Sequence, residues 1–365
     1  VVFSLERQRT LSTAYVKQRC PALAAAMSIS KVDDRTVRID CSSQYMPELI
    51  SLIEFMYIYP KDVIETYGDM NAWDRAIGNG AFTLEGYVPG SYLYYERNDL
   101  YWEKNPVGPG QGDQLPYLDN VKILIEPDPA TQDSLFTTGQ IAVVTADTAD
   151  YDRAQALKAL PGVKYIKFLD ASGRAVICMR TDKADKPYHD VRVRQALMLG
   201  IDHQKIVDQL YGGEGEYLYW PIADCKEYAG AYLALKDYPQ SVQDLFTYNP
   251  DKAKQLMDVA GYPDGFQAEI VVYNLSIYTD VITMVKDMWA EIGVDLTIKP
   301  VDLSSLVGIQ FYRSYNDMLY GYYAGAGSYL TGIEWSDTGV HNNMFNGSLI
   351  NDPILNSYRD QMLAA

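Results

Sequence analysis

The stretch AEIVVYNLSIYTDVITMVKDMWAEIGVDLTI, residues 268–298, decides the fold class of this chain. It opens with a strand pattern at 268–273, continues through a helical pattern at 279–292 and closes with a second strand pattern at 294–298. A strand, a helix and a strand in this order build parallel sheets, because the second parallel strand needs a long crossover connection. The second half of the chain is therefore predicted to be an α/β lobe.

Capping residues mark helix boundaries on the N-terminal side of this stretch. Asp190, Asp202 and Asn249 each precede an amphipathic pattern, where a short polar side chain can accept a hydrogen bond from the first helical turn. Gly261 follows the third pattern and is expected to end that helix. An apolar strand is expected at 175–179, so strands and helices alternate through this half.

The first half of the chain is predicted to be richer in strands. Residues 35–41 alternate apolar and polar side chains, and residues 81–97 form two strand patterns around a Pro-Gly turn. A strand at 121–126, a helix at 129–138 and a strand at 141–145 should follow. This half therefore belongs to a different lobe from the α/β half.

Composition excludes two broad classes of protein. The chain has 365 residues, of which 48% are hydrophobic and 22% charged, within the range of globular proteins. Its formal net charge of -17 would repel a phosphate backbone, so a general nucleic-acid binder is not expected. The apolar runs are shorter than the roughly 20 residues that a helix needs to cross a bilayer.

Tyrosine dominates the aromatic residues. The chain has 31 Tyr against 9 Phe and 5 Trp. Most rings therefore carry a hydroxyl group that requires water or a hydrogen-bond partner. This balance suits a wet binding surface better than a dry core.

The cysteines do not reveal the cellular compartment. Cys20, Cys41, Cys178 and Cys225 contain no C-x-x-C pair, and four thiols allow three pairings. The sequence is compatible both with unpaired thiols and with one or two disulfides.

Motifs for catalysis and for cofactors are missing from the sequence. None of the hydrolase, zinc-protease or P-loop signatures occurs, and the three histidines have no metal-ligand spacing. The glycines at 108, 110 and 112 resemble a phosphate loop, but a proline interrupts them and no strand leads in. We therefore expect no enzyme, no cofactor and no metal.

Several segments of the chain match the motifs of one known family. One is the run from Asp190 to Leu197, DVRVRQAL, followed by Leu210-Tyr211-Gly212-Gly213. The others are Val1-Val2-Phe3-Ser4-Leu5-Glu6-Arg7, Gly78-Asn79-Gly80-Ala81-Phe82, Pro116-Tyr117-Leu118-Asp119, Tyr248-Asn249-Pro250 and Gly261-Tyr262-Pro263-Asp264-Gly265-Phe266. The first run resembles the most characteristic stretch of the extracellular solute-binding proteins of family 5, which serve oligopeptide- and dipeptide-type ABC importers, and the others match in family order.

The resemblance implies a fold. It is an α/β, two-lobed periplasmic-binding-protein-like clamp with an extra accessory subdomain. Residues 1–74 would be the remainder of that α+β subdomain, 75–180 part of lobe I, and 181–365 lobe II. Lobe I would then be incomplete, and with no initiator Met or leader at Val1 the chain is expected to be a fragment.

The resemblance also implies a function. The chain would belong to the substrate-binding component of an ABC importer, capturing a peptide or other small polar or aromatic-compatible solute by interlobe closure and delivering it to a membrane permease. It would act as a monomer in the periplasm or outside the cell, with a lipid anchor at the outer face of the cytoplasmic membrane as one option. The alternatives are a secreted hydrolase with paired carboxylates and a ligand-free scaffold or chaperone-like domain.

Two regions depart from the family pattern at candidate ligand contacts. Arg180 stands where the family commonly has Asn, and it is either an anchor for a ligand carboxylate or a solvated cation at a strand end. The run from Tyr320 to Gly327 resembles a family segment that ends in Trp-Gly-Ala-Asp, where peptide-binding members use the Asp for the ligand's α-ammonium group. Because Gly and Ala stand here instead, aromatic rings are expected to replace the acidic anchor.

A third region lies at the end of the strand 268–273. Ligands of open α/β sheets collect beyond the carboxyl ends of strands, which favours the residues just after this strand. The expected ligand-binding residues of all regions are Arg180, Tyr273, Asn274, Tyr278, Tyr322, Tyr323, Tyr329, Trp335 and Asn342. For the aromatic residues, strand packing is the alternative to a binding role.

Overall fold

A computed structural model describes most of the chain, namely residues 1–12, 14–19, 21–42, 46–145, 151–166, 173–215, 232–324 and 346–364. Its contacts divide the chain into two compact units, each discontinuous in sequence. The first unit comprises Val1–Lys17, Met27–Asp40 and Glu54–Thr145. The second unit comprises Gln18–Ala26, Cys41–Ile53 and Ala146–Ala365.

The elements up to residue 145 are short helices and antiparallel strands. In chain order they are α1 (Val2–Thr10), α2 (Tyr15–Arg19), α3 (Pro21–Ala26), β1 (Ser28–Lys31), β2 (Val37–Asp40), α4 (Met46–Leu52), α5 (Lys61–Tyr67), β3 (Phe82–Val88), β4 (Tyr92–Arg97), β5 (Asn120–Leu124) and α6 (Pro129–Thr137). Strands β1 and β2 form one antiparallel pair, and β3, β4 and β5 form a three-stranded antiparallel sheet.

The predicted hairpin is confirmed as β3 and β4. Its turn is closed by a hydrogen bond of 3.0 Å from the Ser91 amide to the Val88 carbonyl, with Gly90 at a φ of 71°. The strand predicted at 141–145 is wrong, because no neighbouring strand pairs with these residues, all of which the structure describes. The amide of Ile141 instead donates to the Leu135 carbonyl at 3.3 Å, which ties this segment to the end of α6.

The elements after residue 145 alternate between helices and strands. They are α7 (Tyr151–Lys158), β6 (Gly173–Met179), α8 (Val191–Leu199), α9 (His203–Leu210), α10 (Gln240–Gln243), α11 (Pro250–Val259), β7 (Phe266–Tyr273), α12 (Ser276–Ala290), β8 (Val294–Val301), α13 (Leu303–Tyr312), β9 (Met318–Ala324) and α14 (Pro353–Ala364). None of the helices in these described ranges is both long and apolar enough to cross a membrane.

One mixed sheet organises the second unit. Its strand order is β6-β9-β7-β8, and β7 runs parallel to both β8 and β9 while β6 runs antiparallel to β9. The predicted strand-helix-strand unit is therefore confirmed as β7, α12 and β8. The sequence places residues 175–180 in lobe I, whereas pairing with β9 groups β6 with the second unit.

The predicted capping residues are confirmed. The side chains of Asp190, Asp202 and Asn249 accept hydrogen bonds from backbone amides in the first turns of α8, α9 and α11. Gly261 follows α11 with a φ of 93°, a conformation that glycine adopts at little cost.

Apolar side chains cover both faces of this sheet. On one face, α8, α11 and α12 pack against Ile270, Val272 and Leu296, with Trp289 fully buried. On the other face, Leu306 of α13 joins Cys178, Val271 and Leu319. Each large side chain of this kind contributes about 1.5–3 kcal/mol when it is removed from water. The sheet is thus a rigid base for the residues at its edges.

Candidate functional site

The carboxyl ends of the parallel strands define one edge of the sheet in the second unit. Strand β7 ends at Tyr273 and β8 at Val301, and these two residues are register partners. The amide of Asn274 donates to the Val301 carbonyl at 2.8 Å, which fixes the exit of β7. Because α12 begins at Ser276, its N-terminus lies at the same edge. We call this region the carboxyl edge.

Three tyrosine rings form a cluster at the carboxyl edge. The ring centroids of Tyr273 and Tyr278 are 5.6 Å apart, and those of Tyr278 and Tyr320 are 5.8 Å apart in an edge-on arrangement. Tyr278 lies in the first turn of α12, and Tyr320 lies on β9 beside Val272. The structure therefore brings together two predicted site residues, Tyr273 and Tyr278. A third, Asn274, follows Tyr273 directly in the chain.

Tyr320 belongs to this cluster although the sequence did not place it among the expected ligand contacts. It is 8% exposed, and burial raises its pKa well above the ordinary value, helped by the nearby Tyr211 and Tyr278. The hydroxyl therefore stays protonated and can donate a hydrogen bond. The signal for this residue was its position at the start of the tyrosine-rich run, but a strand tyrosine is more often packed than functional.

Other predicted contacts are only partly described. The backbone of Tyr322 and Tyr323 pairs with Ala175 and Arg174 of β6, whereas their side chains are not described. The predicted contacts Tyr329, Trp335 and Asn342 lie outside the described residues.

Arg180 lies at the opposite edge of the sheet. It follows Met179, whose register partner Met318 begins β9, and its amide donates to the Asp317 carbonyl at 3.0 Å. The three-residue step from Asp317 to Tyr320 corresponds to about 10 Å of extended chain. The structure therefore does not bring Arg180 together with the tyrosines of the carboxyl edge.

The guanidinium group of Arg180 is held by residues of its own unit. Its Nε and Nη2 atoms donate to the two carboxylate oxygens of Asp182, each at 2.8 Å. Its Nη1 atom donates to the carbonyls of Arg313 and Tyr315 at 3.0 and 2.8 Å. The hydrogen bonds from Arg180 also lower the pKa of Asp182 despite partial burial. A ligand carboxylate at Arg180 would have to compete with Asp182.

A second polar cluster at this opposite edge was not predicted. The carboxylate of Asp317 is 8% exposed and accepts from Lys186, from the Tyr188 hydroxyl at 2.8 Å and from the Glu269 amide at 3.0 Å. Burial would raise the pKa of Asp317, but the hydrogen bonds from Lys186 and Tyr188 outweigh it and lower the pKa. These groups satisfy one another, so the cluster ties the segment after β6 and strand β7 to the start of β9.

The glycine-rich loop in the first unit folds around a tyrosine. Asn105 donates from Nδ2 to the Tyr117 hydroxyl at 2.9 Å, and this hydroxyl donates to the Gly110 carbonyl at 3.3 Å. A Cβ atom at Gly110 would lie 2.5 Å from the same hydroxyl. The absence of a side chain at Gly110 therefore leaves room for the Tyr117 hydroxyl.

The described ranges contain no candidate metal site and two of the four cysteines. No set of three or more His, Cys, Asp or Glu residues there could hold a metal ion. Cys178 is buried in the sheet and Cys41 is half-buried, whereas Cys20 and Cys225 lie outside the described residues. The pairing of the cysteines stays open.

Comparison with known proteins gives a consistent group. The family model for bacterial extracellular solute-binding proteins, family 5 Middle, matches residues 1–346. Heme-binding protein A of Haemophilus influenzae is 28% identical over 316 residues, covering 80% of this chain and 53% of the relative. The dipeptide-binding protein of Escherichia coli is 26% identical over 320 residues, covering 82% of this chain and 55% of the relative. The chain spans about half the length of these curated relatives.

A solved structure supports the fold. The oligopeptide-binding protein AppA of Bacillus subtilis, solved with a nonapeptide, superposes with a TM-score of 0.77 at 19% identity. The match covers 100% of this chain and 71% of the AppA chain. At this identity, the comparison shows a shared fold, which is the two-lobed α/β fold of periplasmic binding proteins.

Proposed function

Since the chain belongs to the bacterial extracellular solute-binding proteins of family 5, we propose that it is part of the substrate-binding component of an ABC importer. The complete protein captures a peptide or another small polar or aromatic-compatible solute and delivers it to a membrane permease. It works as a binding protein rather than an enzyme, as a monomer, in the periplasm or outside the cell.

The tyrosine cluster at the carboxyl edge is the observation that carries this proposal. The rings of Tyr273, Tyr278 and Tyr320 offer stacking faces and hydroxyl groups where ligands of α/β sheets collect. The two curated relatives are named for binding heme and a dipeptide, which supports either as the type of ligand. Heme is a flat aromatic ligand. Both ligand types are compatible with such a surface.

The proposed mechanism is closure of two lobes around the solute. Contacts from both lobes exist only in the closed state, so the solute shifts the equilibrium towards that state. On the α/β lobe, Tyr273, Asn274 and Tyr278 supply contacts. Arg180, Tyr322, Tyr323, Tyr329, Trp335 and Asn342 remain proposed contacts as well.

The test uses the full-length protein with a panel of di- to nonapeptides and hemin. We expect stoichiometric binding by calorimetry, a smaller radius of gyration by X-ray scattering and a higher melting temperature with at least one ligand. A panel that changes neither radius nor melting temperature contradicts the proposal. Steady turnover of a panel member would favour the hydrolase alternative.

A matched pair of variants separates binding from stability. Tyr278→Ala removes a ring of the cluster, whereas Tyr262→Ala removes a ring that packs on Phe266 at the other end of β7, 5.6 Å between centroids. Both rings are half-buried against the same apolar core. We expect both variants to lose stability and only Tyr278→Ala to lose affinity, by about tenfold for one stacking contact. Equal affinities in the two variants would rule out a role for the cluster.

A further inference from the structure

Helix α7 contacts the turn that follows α9. Tyr151, the first residue of α7, is half-buried, and a Cβ atom at Gly212 would lie 2.6 Å from two carbons of its ring. Gly212 has a φ of 58°, in the left-handed region that glycine enters at little cost. The Tyr151 ring therefore packs directly on the backbone of Gly212, and any side chain at this glycine would block the contact.

The turn at residues 211–215, which we call the glycine turn, is compact. The amides of Tyr211 and Gly213 both donate to the Val207 carbonyl, at 3.0 and 3.1 Å. A Cβ atom at Gly215 would lie 3.4 Å from the Cβ and Cγ atoms of Tyr211. Because the turn is hydrogen-bonded and closely packed, a displacement where α7 touches it also displaces Tyr211.

Helix α9 runs along α12 towards the carboxyl edge. The Asp202 amide, at the start of α9, donates at 3.2 Å to the Met288 sulfur near the end of α12. At the other end of α9, burial raises the pKa of Tyr320 and Tyr211 lies close enough to add to this shift. Since the Tyr320 ring packs edge-on against Tyr278 in the first turn of α12, the two helices run in opposite directions.

The lengths of the two helices agree with this arrangement. Nine residues lead from Asp202 to Tyr211, which corresponds to about 13.5 Å of helix. The same number of residues, counted back along α12 from Met288, leads to Thr279, next to Tyr278. The end of α9 therefore reaches the tyrosine cluster of the carboxyl edge, where Tyr211 is half-buried.

We propose that Tyr211 is a fourth ring of the solute-binding surface and that Tyr151 positions it through the glycine turn. The Tyr151 ring packs on Gly212 and thereby fixes where Tyr211 meets the cluster. The contact is made by ring carbons, so the hydroxyl group of Tyr151 is not needed for this role. The inference rests on the proposed function and deepens it, since it adds a ring for the solute and the residue that holds this ring in place.

The experiment measures ring-to-ring proximity by nuclear Overhauser effects in the full-length protein, labelled on its tyrosine rings. The Tyr211 resonances are identified by their loss in Tyr211→Phe, and we expect cross peaks between them and the rings of the cluster. Tyr151→Ala should remove these cross peaks, whereas Tyr151→Phe should keep them. Tyr165→Ala is the matched control, because it removes a ring that packs on Lys158 of the same helix, 5.0 Å from Nζ to the ring centroid. It should keep the cross peaks.

Two glycine variants test the contact from the side of the turn. Gly212→Ala places a methyl group against the Tyr151 ring and should remove the cross peaks. Gly213→Ala is the matched control, since its φ is also positive, at 77°, but the nearest atom to the new Cβ, Oδ1 of Asp208, is 3.7 Å away. This control should keep the cross peaks.

The outcomes that overturn the inference are distinct. They are cross peaks that are missing from the unchanged protein, that persist in Tyr151→Ala, or that disappear in Tyr151→Phe. An equal effect of Gly212→Ala and Gly213→Ala also overturns it. If Gly212→Ala fails to fold, the pair Tyr151→Ala and Tyr151→Phe still decides.

A binding experiment separates this inference from the proposed function. Its probes are the di- to nonapeptides and hemin, titrated into the full-length protein. Tyr211→Ala should weaken the binding of the probe that binds by about tenfold, and Tyr262→Ala should leave it unchanged. Unchanged affinity in Tyr211→Ala overturns the role of this ring and leaves the transport role standing. If no probe binds the unchanged protein, the transport role fails and the cross peaks decide whether Tyr151 positions Tyr211.

Discussion

At the scale of single residues, the sheet of the second unit carries two sets of polar groups, which differ in whether hydrogen bonds within the unit satisfy them. Arg180 and Asp317 lie at one edge, where carboxylates, carbonyls and donors of the same unit satisfy them. Tyr320 lies towards the other edge and has no such hydrogen bond within the described residues. The sequence interpretation pointed to Arg180 because this position commonly holds Asn in the family, and an unpaired arginine and a paired one look the same in a sequence.

His203 is the residue whose surroundings predict a pH effect. It is the first residue of α9, and burial lowers its pKa below the ordinary value of about 6.5, although the Ile201 backbone and Asp202 oppose the shift. The unfolded chain therefore binds a proton at a higher pH than the folded chain. Because protonation favours the unfolded state, this contribution to stability is lost as the pH falls below about 6.5.

The first prediction at this scale concerns His203→Gln. In the unchanged chain, His203 makes the free energy of unfolding fall by at most about 1.4 kcal/mol per pH unit below pH 6.5. The variant should flatten this fall between pH 6.5 and 5, measured by urea denaturation. His189→Gln, at an exposed position, is the matched control. An unchanged slope in His203→Gln would show that this histidine does not carry the effect.

At the scale of elements, the start of β7 depends on a close approach between two glycines. Gly265 precedes β7 with a φ of 74°, and a Cβ atom there would overlap the carbonyl oxygen of Gly293. This carbonyl accepts from the Phe266 amide at 3.2 Å, which starts the pairing of β7 with β8. Any side chain at Gly265 would therefore push the two parallel strands apart.

Gly265→Ala should destabilise the chain by at least about 3 kcal/mol, because backbone atoms rather than a flexible side chain must move. Gly261→Ala is the matched control, since its φ is also positive, at 93°, but no atom lies within 4 Å of the position that the new Cβ would take. It should cost about 1–2 kcal/mol from backbone conformation alone. Equal melting temperatures for the two variants would contradict the steric argument.

Prediction of the elements succeeded where the signal is local. The caps Asp190, Asp202 and Asn249 act through amides two or three residues away, so the sequence around each is sufficient. The strand predicted at 141–145 failed because an extended apolar run becomes a strand only when another strand pairs with it. Pairing depends on distant parts of the chain, which no local pattern specifies.

At the scale of the whole molecule, the two units differ in how deeply their strands are buried. Every residue of β3, β4 and β5 is at least partly exposed, whereas β7 is buried over much of its length. Strands that bury little apolar surface open at a lower free-energy cost than core strands. The strands of the first unit should therefore be the less protected ones.

Amide hydrogen exchange of the 365-residue chain, followed by mass spectrometry, measures this difference. We expect peptides covering β7 to exchange most slowly and peptides covering β3, β4 and β5 to exchange at least about tenfold faster, because their opening costs less. Comparable protection in the two sheets would contradict the prediction.

The sequence by itself determined the α/β character of the second unit, the helix caps, the hairpin and the family to which the chain belongs. These features follow from side chains and backbone within a few residues, or from ordered motifs along the chain. Only the tertiary structure decided that β9 lies between β6 and β7, since this needs pairing between residues as distant as Met179 and Met318. That pairing puts Arg180 among its own partners and Tyr320 beside α12, so the choice between an arginine site and a tyrosine site depends on long-range strand order.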